Sequence, residues 1–221
     1  MILQPNDKLV MIGDSVTDCG RAQPIGEGLF NALGNGYVSL VDSILTVLYP
    51  ERSIRVVNMG LSGNTVRDLK MRWQRDVIEQ KPDWVSIMIG INDVWRQFDC
   101  PRQKEIHVYP EEYSATLEEI IVQTKPIVKG IVMMTPYYLE PNREDAMRKR
   151  MDQYGAIVRD IATRHQTLFV DTQEEMNGIL NHYNANAIAW DRVHPNHIGH
   201  MALAKAFLAS VGLKFDKIPK E

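Results

Sequence analysis

Apolar residues along the chain fall into two alternating patterns. Short, mostly continuous runs recur at Leu9–Ile12, Ile54–Val57, Trp84–Ile89, Ile131–Met134 and Leu168–Val170. Continuity rather than strict alternation predicts strands covered on both faces. Between them the apolar positions switch to helical spacing. One such set is Tyr37, Val38, Leu40, Val41, Ile44, Leu45 and Leu48; a second is Tyr113, Leu117, Ile120 and Ile121. A third comprises Met147, Met151, Tyr154, Ile157, Val158 and Ile161, and the last is Ala204, Phe207, Leu208 and Val211. Each predicts a helix with one buried stripe. Strand alternating with helix implies an α/β fold: a five-stranded parallel sheet, right-handed crossovers and helices on both faces. No internal repeat or low-complexity linker interrupts the pattern. The one irregular stretch, roughly Gly20 to Gly36, is rich in glycine and reads as a surface loop beside the first strand end.

Bulk properties narrow the class without choosing a function. The 221 residues are expected to form a single domain spanning 1–221, large enough to bury a core without metals or disulfides. A net charge of -3 gives no electrostatic ground for binding nucleic acid or an anionic membrane. The basic run Arg148-Lys149-Arg150 follows Glu144 and Asp145 and reads as a solvated helix face. The two cysteines, Cys19 and Cys100, lack both a disulfide framework and metal-ligand spacing. No apolar run approaches the ~18 residues of a membrane span. The opening MILQPNDKLV has no basic segment followed by a long apolar one, so no signal peptide is expected and the expected location is the cytoplasm.

In open parallel sheets, ligands bind beyond the carboxyl ends of the strands. The residues that follow each predicted strand are therefore the ones to read. The first strand ends in Gly13-Asp14-Ser15, and the second is followed by Asn58 to Thr65, which contains Gly63. The third is followed by Gly90-Ile91-Asn92-Asp93, the fourth by Thr135-Pro136-Tyr137-Tyr138 and the fifth by Asp171-Thr172. Trp190-Asp191-Arg192-Val193-His194-Pro195 stands just ahead of the last helix. Singly, each has an ordinary role. Ser15 or Asn92 could cap a helix, Gly63 could ease a turn, and Asp191 and His194 could sit quietly in a loop.

Together they make a chemical set. A serine hydroxyl needs a base to become a nucleophile, and imidazole titrates in the right range for that task. Asp191, three residues before His194, reaches the same ring if the loop closes into a single turn. The N–H groups of Ser15 and Gly63 and the amide of Asn92 would then supply three donors to a tetrahedral oxyanion. Asp14 and Asp93 are expected to bond loop backbone rather than react.

The blocks Gly13-Asp14-Ser15, Gly63, Gly90-Ile91-Asn92-Asp93 and Asp191-Arg192-Val193-His194-Pro195 resemble the SGNH (GDSL) hydrolase family, in that family's order and across nearly the whole chain. Val16 departs from the leucine often found after Gly-Asp-Ser, at a position that packs rather than reacts. The resemblance implies a three-layer α/β/α flavodoxin-like sandwich. It implies Ser15 as nucleophile, Asp191 and His194 as its triad partners, Gly63 and Asn92 as oxyanion donors, and no cofactor. Homo-oligomerisation is expected on the same basis. Three stretches, KPDWVSIMIGINDVWRQ at 81–97, LSGNTVRDL and AWDRVHP, look similar to intracellular bacterial acetylxylan esterases. That likeness implies deacetylation of short acetylated xylo-oligosaccharides. Trp95 and Trp190, beside the expected donors and base, suit a sugar face, although indoles serve equally as core.

Three rival readings remain. Cys19 lies four residues after Ser15, with no partner spaced to activate it, and reads as a structural thiol. His194, His197 and His200 imitate a metal cluster, but steps of three residues do not converge well on a helix, and Pro195 places His194 outside it. A thioesterase or lysophospholipase would keep the mechanism and need an apolar groove, for which Pro24, Ile25, Leu29 and Phe30 are available.

Overall fold

The computed structural model describes residues 1–214. Five strands form its centre: β1 (Lys8–Gly13), β2 (Arg55–Asn58), β3 (Trp84–Met88), β4 (Gly130–Met134) and β5 (Leu168–Val170). All pair in parallel, in the order β2-β1-β3-β4-β5. The predicted strands are all present, with ends shifted by a residue or so. Ile89, for example, lies just past the last ladder residue, Met88.

Successive residues of β1 enter different cores, which is why its sequence is apolar throughout. Leu9 and Met11 join the cluster formed with α2 (Tyr37–Leu48), α7 (Thr172–Leu180) and α8 (His197–Ser210). Val10 and Ile12 join the other, with α3 (Val66–Trp73), α4 (Ile91–Asp99), α5 (Pro110–Thr124) and α6 (Ala146–His165). The result is the expected three-layer sandwich. Of these helices, α3, α4 and α7 fall outside the segments that apolar spacing singles out. In α3 the stripe Val66, Leu69 and Trp73 is masked because Arg72 is itself buried. Among the described residues no helix is long and apolar enough to cross a membrane.

The chain leaves β1 on one face to reach β2, then crosses over β1 to β3 on the other. This places the reversal in strand order between β1 and β3, where the sheet offers a crevice at its carboxyl end. Ser15 follows β1 and Asn92 follows β3 at that point.

After β1 comes α1 (Ser15–Asp18), a single turn. Asp14 occupies the cap position and its Oδ1 accepts from the Val16 N–H at 3.0 Å. Ser15 is therefore the first helical residue and not the cap. The turn ends at Cys19, in the left-handed region at φ 42°, so Cys19 does not continue a helix face from Ser15. Gly13 is dictated by close approach. A Cβ there would lie 2.3 Å from the Met88 carbonyl oxygen and 2.4 Å from Thr17 Oγ1. Gly13→Ala should therefore push β1 and β3 apart and lose roughly 1–3 kcal/mol of stability. Calorimetry checks this, and an unchanged melting temperature would show that the strands yield there without cost.

Candidate active site

The loop between Ile188 and Asn196 delivers the acid and the base. Asp191 Oδ1 accepts from the backbone N–H groups of Val193 (3.0 Å) and His194 (2.9 Å), so the loop does close into one turn around its carboxylate. Oδ2 then accepts from Nδ1 of the His194 ring at 2.6 Å. Nε2 is left facing the Ser15 hydroxyl, which donates to it across 2.8 Å and 179 positions of sequence. Burial by itself would raise the Asp191 pKa. The hydrogen bonds from the His194 ring and the two backbone N–H groups outweigh it and hold the carboxyl below its usual range. The loop is tied to the segment after β4: Tyr137 OH donates to the Val193 carbonyl (3.1 Å), and Leu139 N–H donates to that of Arg192 (2.9 Å).

The expected oxyanion donors sit on segments bonded to one another. Leu61 N–H donates to the Gly13 carbonyl at 3.0 Å, and Ser62 N–H to Asp18 Oδ2 at 3.0 Å, which ties the loop after β2 to both ends of the Ser15 turn. Asn92 Nδ2 donates to the Asn64 carbonyl at 3.0 Å, and its Oδ1 accepts from Arg96 at 3.2 Å. The amide is thereby oriented, with one N–H still uncommitted. Gly63, between Leu61 and Asn64, adopts φ +81°, a conformation that disfavours any side chain. The N–H groups of Ser15 and Gly63 have no acceptor among the described residues. Gly90, not Asn92, takes the cap position of α4, which leaves the Asn92 amide free for this role.

Trp95 lies next to the base, its ring centroid 6.0 Å from that of His194. Trp190 is 83% exposed and has no ring contact with the triad. Asp14 and Asp93 bond backbone as expected, to Val16 and Val66 respectively (both 3.0 Å). Asp18, Asn58 and Asn64 escaped the sequence reading. Asn58 Nδ2 donates to the carbonyls of Thr17 (2.7 Å) and Leu33 (2.8 Å), which pins the Ser15 turn to the Gly20–Gly36 loop. Their position after strand ends was the available signal; what each would bond depended on the fold.

Cys19 does have a histidine partner, contrary to its spacing: His200 Nε2 lies 3.5 Å from Sγ. The pairing does not activate the thiol. His200 Nδ1 accepts from the Tyr37 N–H at 3.2 Å, so the neutral ring carries its proton on Nε2 and has no lone pair to offer sulfur. Burial, with His197 and His194 nearby, lowers the His200 pKa to about 4, and burial raises that of Cys19. His194 and His200 of the H-x2-H-x2-H run thus face different partners, and no three metal-ligating side chains cluster among the described residues. Of the residues considered for an apolar groove, Pro24 and Ile25 line a cleft with Met59 and Leu61. Leu29 and Phe30 are 79% and 97% exposed. A separate small cavity is lined by Asp14, Val16, Met88, Ile91, Pro136, Tyr137 and Val193.

The model of the GDSL-like lipase/acylhydrolase family matches residues 11–202. The chain belongs to that family. It is 60% identical over 215 residues to an acetylxylan esterase of Geobacillus stearothermophilus, covering 97% of this chain and 98% of the relative. The crystal structure of Axe2, an acetylxylan esterase from the same organism, superposes with a TM-score of 0.96 at 60% identity, over 97% of this chain and 98% of that one. Axe2 forms described as catalytic mutants carry S15A, H194A and D191A, the residue types and numbers of the triad seen here. An alpha/beta hydrolase from the metagenome of Lake Arreo, Spain, is 56% identical with a TM-score of 0.94, covering 96% of this chain and 98% of its own.

Asp93 adds a pH dependence. It is fully enclosed, and its Oδ2 has no hydrogen-bond partner among the described residues. Burial, helped by the nearby charges of Asp14 and Asp68, raises its pKa to about 7 against backbone hydrogen bonds that lower it. The folded state then keeps a proton that the unfolded chain releases near pH 4, so raising the pH from about 4 to about 7 removes stability. Asp93→Asn keeps an acceptor for Val66 and abolishes that loss. Its melting temperature should gain on the native protein's across this window. Parallel profiles would show that Asp93 titrates as an ordinary carboxyl.

Proposed function

We propose that the protein is a serine esterase that removes acetyl groups from acetylated xylo-oligosaccharides through an acyl-enzyme on Ser15. The observation that carries this reading is the unbroken hydrogen-bonded line Asp191–His194–Ser15. Ser15 Oγ attacks the ester carbonyl while His194 Nε2 takes its proton. Asp191 holds Nδ1–H and stabilises the imidazolium. The N–H groups of Ser15 and Gly63 and the free N–H of Asn92 receive the oxyanion as charge develops. His194 returns the proton to the departing sugar hydroxyl. The same ring then activates water to hydrolyse the acetyl-enzyme.

The substrate reading is supported by the 60% identity to an acetylxylan esterase. The place of Trp95 beside His194 favours it as a platform for a sugar face. Trp190, exposed on the same loop as the base, is assigned a second contact with saccharide. The exposed Leu29, Phe30 and Tyr183 fit an assembly of identical subunits, and action on short sugars fits a cytoplasmic location.

Three measurements test the reading. Ser15→Ala should cost up to roughly six orders of magnitude in turnover of 4-nitrophenyl acetate. Near-native turnover by that variant would remove Ser15 as nucleophile. Asn92→Ala should lower kcat roughly a hundredfold or more with KM little changed. A series from acetate to butyrate and octanoate, run beside acetylated xylobiose, should fall steeply beyond acetate while the sugar is deacetylated fast. A preference for octanoate would point to a longer acyl ester instead.

A further inference from the structure

Arg72 belongs to neither the triad nor the donor set, yet its guanidinium reaches the strand end that leads into Ser15 and the loop that carries Gly63. It is buried on α3, with 7% of its side chain exposed. Nη2 donates to the Gly13 carbonyl at 3.0 Å, at the end of β1 and two residues before Ser15. Nη1 donates to the Met59 carbonyl at 2.7 Å, and Nε to Asn64 Oδ1 at 2.6 Å. Those two acceptors bracket Gly63. Asn64 in turn accepts the Asn92 amide on its carbonyl. One rigid fork thus binds the strand end before the first donor and both flanks of the second, and it holds the residue on which the third rests.

Nη1 also donates to Asp76 Oδ2 at 2.8 Å. Asp76 takes two further hydrogen bonds from Arg75, at 2.5 and 3.0 Å. This neutralises the buried charge and braces the fork from behind. Just past Arg72 the helix widens into a π turn, with Glu79 N–H donating to the Gln74 carbonyl at 2.9 Å. Such turns are rare and are found often at functional sites.

We propose that Arg72 is a positioning residue for the oxyanion hole, holding the Gly13–Ser15 turn, the 59–64 loop and, through Asn64, the Asn92 amide in the arrangement that receives the tetrahedral intermediate. The proposal rests on the assignment of Ser15, Gly63 and Asn92 as the donors. Lysine cannot substitute. Its three N–H groups radiate from one point, whereas the four hydrogen bonds here leave a planar fork in fixed directions. Oxyanion donors act through their placement, and small displacements at a reacting centre cost about a hundredfold.

The test compares Arg72→Lys and Asn64→Ala on 4-nitrophenyl acetate, with rates normalised to active sites titrated by a serine-directed organophosphate. Asn64→Ala frees the loop from the guanidinium but leaves the carbonyl that holds Asn92, and it decides the matter if Arg72→Lys does not fold. Both should lose about ten- to hundredfold in kcat with KM within about twofold. In an Asn92→Ala background the Arg72→Lys penalty should shrink, because the share that acts through Asn64 on the Asn92 amide is already lost, while the share that acts on the Ser15 turn and the Gly63 loop remains. Native kcat per active site in both variants, with only the melting temperature lowered, would overturn the proposal, as would a penalty undiminished in the double variant. Full kcat in Asn92→Ala alone would sink the donor assignment itself, and this role with it.

Discussion

The His194 ring can serve as a base only if its two nitrogens are committed to different partners, and the rest of the site is arranged to keep them so. Asp191 takes Nδ1–H, which leaves the lone pair on Nε2 for the Ser15 hydroxyl. Six residues along the chain, His200 meets a nucleophilic atom too, but with its nitrogens the other way round. There the Tyr37 backbone N–H occupies Nδ1 and the proton lies on Nε2, against the Cys19 thiol. The residue types are those of a catalytic pair in both places. What separates them is which nitrogen is given a donor and which an acceptor.

The strand ends divide their tasks in the same spirit. Asp14 satisfies the first turn of α1 and so releases the neighbouring serine from that duty. Gly90 stands at the start of α4, so that Asn92, two residues later, can direct its amide at the Asn64 carbonyl. Behind these loops lies an unusual density of buried polar groups, among them Asp14, Asp18, Asn58, Arg72, Asp76 and Asp93. A purely apolar backing would pack as well, but it could not answer the carbonyls and N–H groups that irregular loops leave open. Exposed donors at the rim are therefore held by enclosed acceptors and cations beneath it.

Much of this was legible in the one-dimensional pattern. Continuous apolar runs announce strands buried on both faces, and the small polar residues that follow them mark the rim where chemistry occurs. Ser15, Asp191, His194, Gly63 and Asn92 could be picked out because their types are those acyl transfer requires, and because each follows a strand or precedes the last helix. Helix α3 was harder to see. Its apolar stripe is short and is crossed by Arg72, a residue whose type ordinarily signals solvent. The same charge that hid the helix binds the loops together.

Local chemistry thus determined the strands, the four prominent amphipathic helices and the identities of the reacting groups, since side-chain period and functional-group type belong to each residue on its own. Only the tertiary structure decided that Asp14 rather than Ser15 caps α1, that His200 lies against Cys19, that Leu29 and Phe30 turn outward, and that Arg72 turns inward. Each of these depends on which donors and acceptors from remote segments arrive at one point. A hydrogen bond is satisfied by whatever group stands within about 3 Å, however far away it lies along the chain.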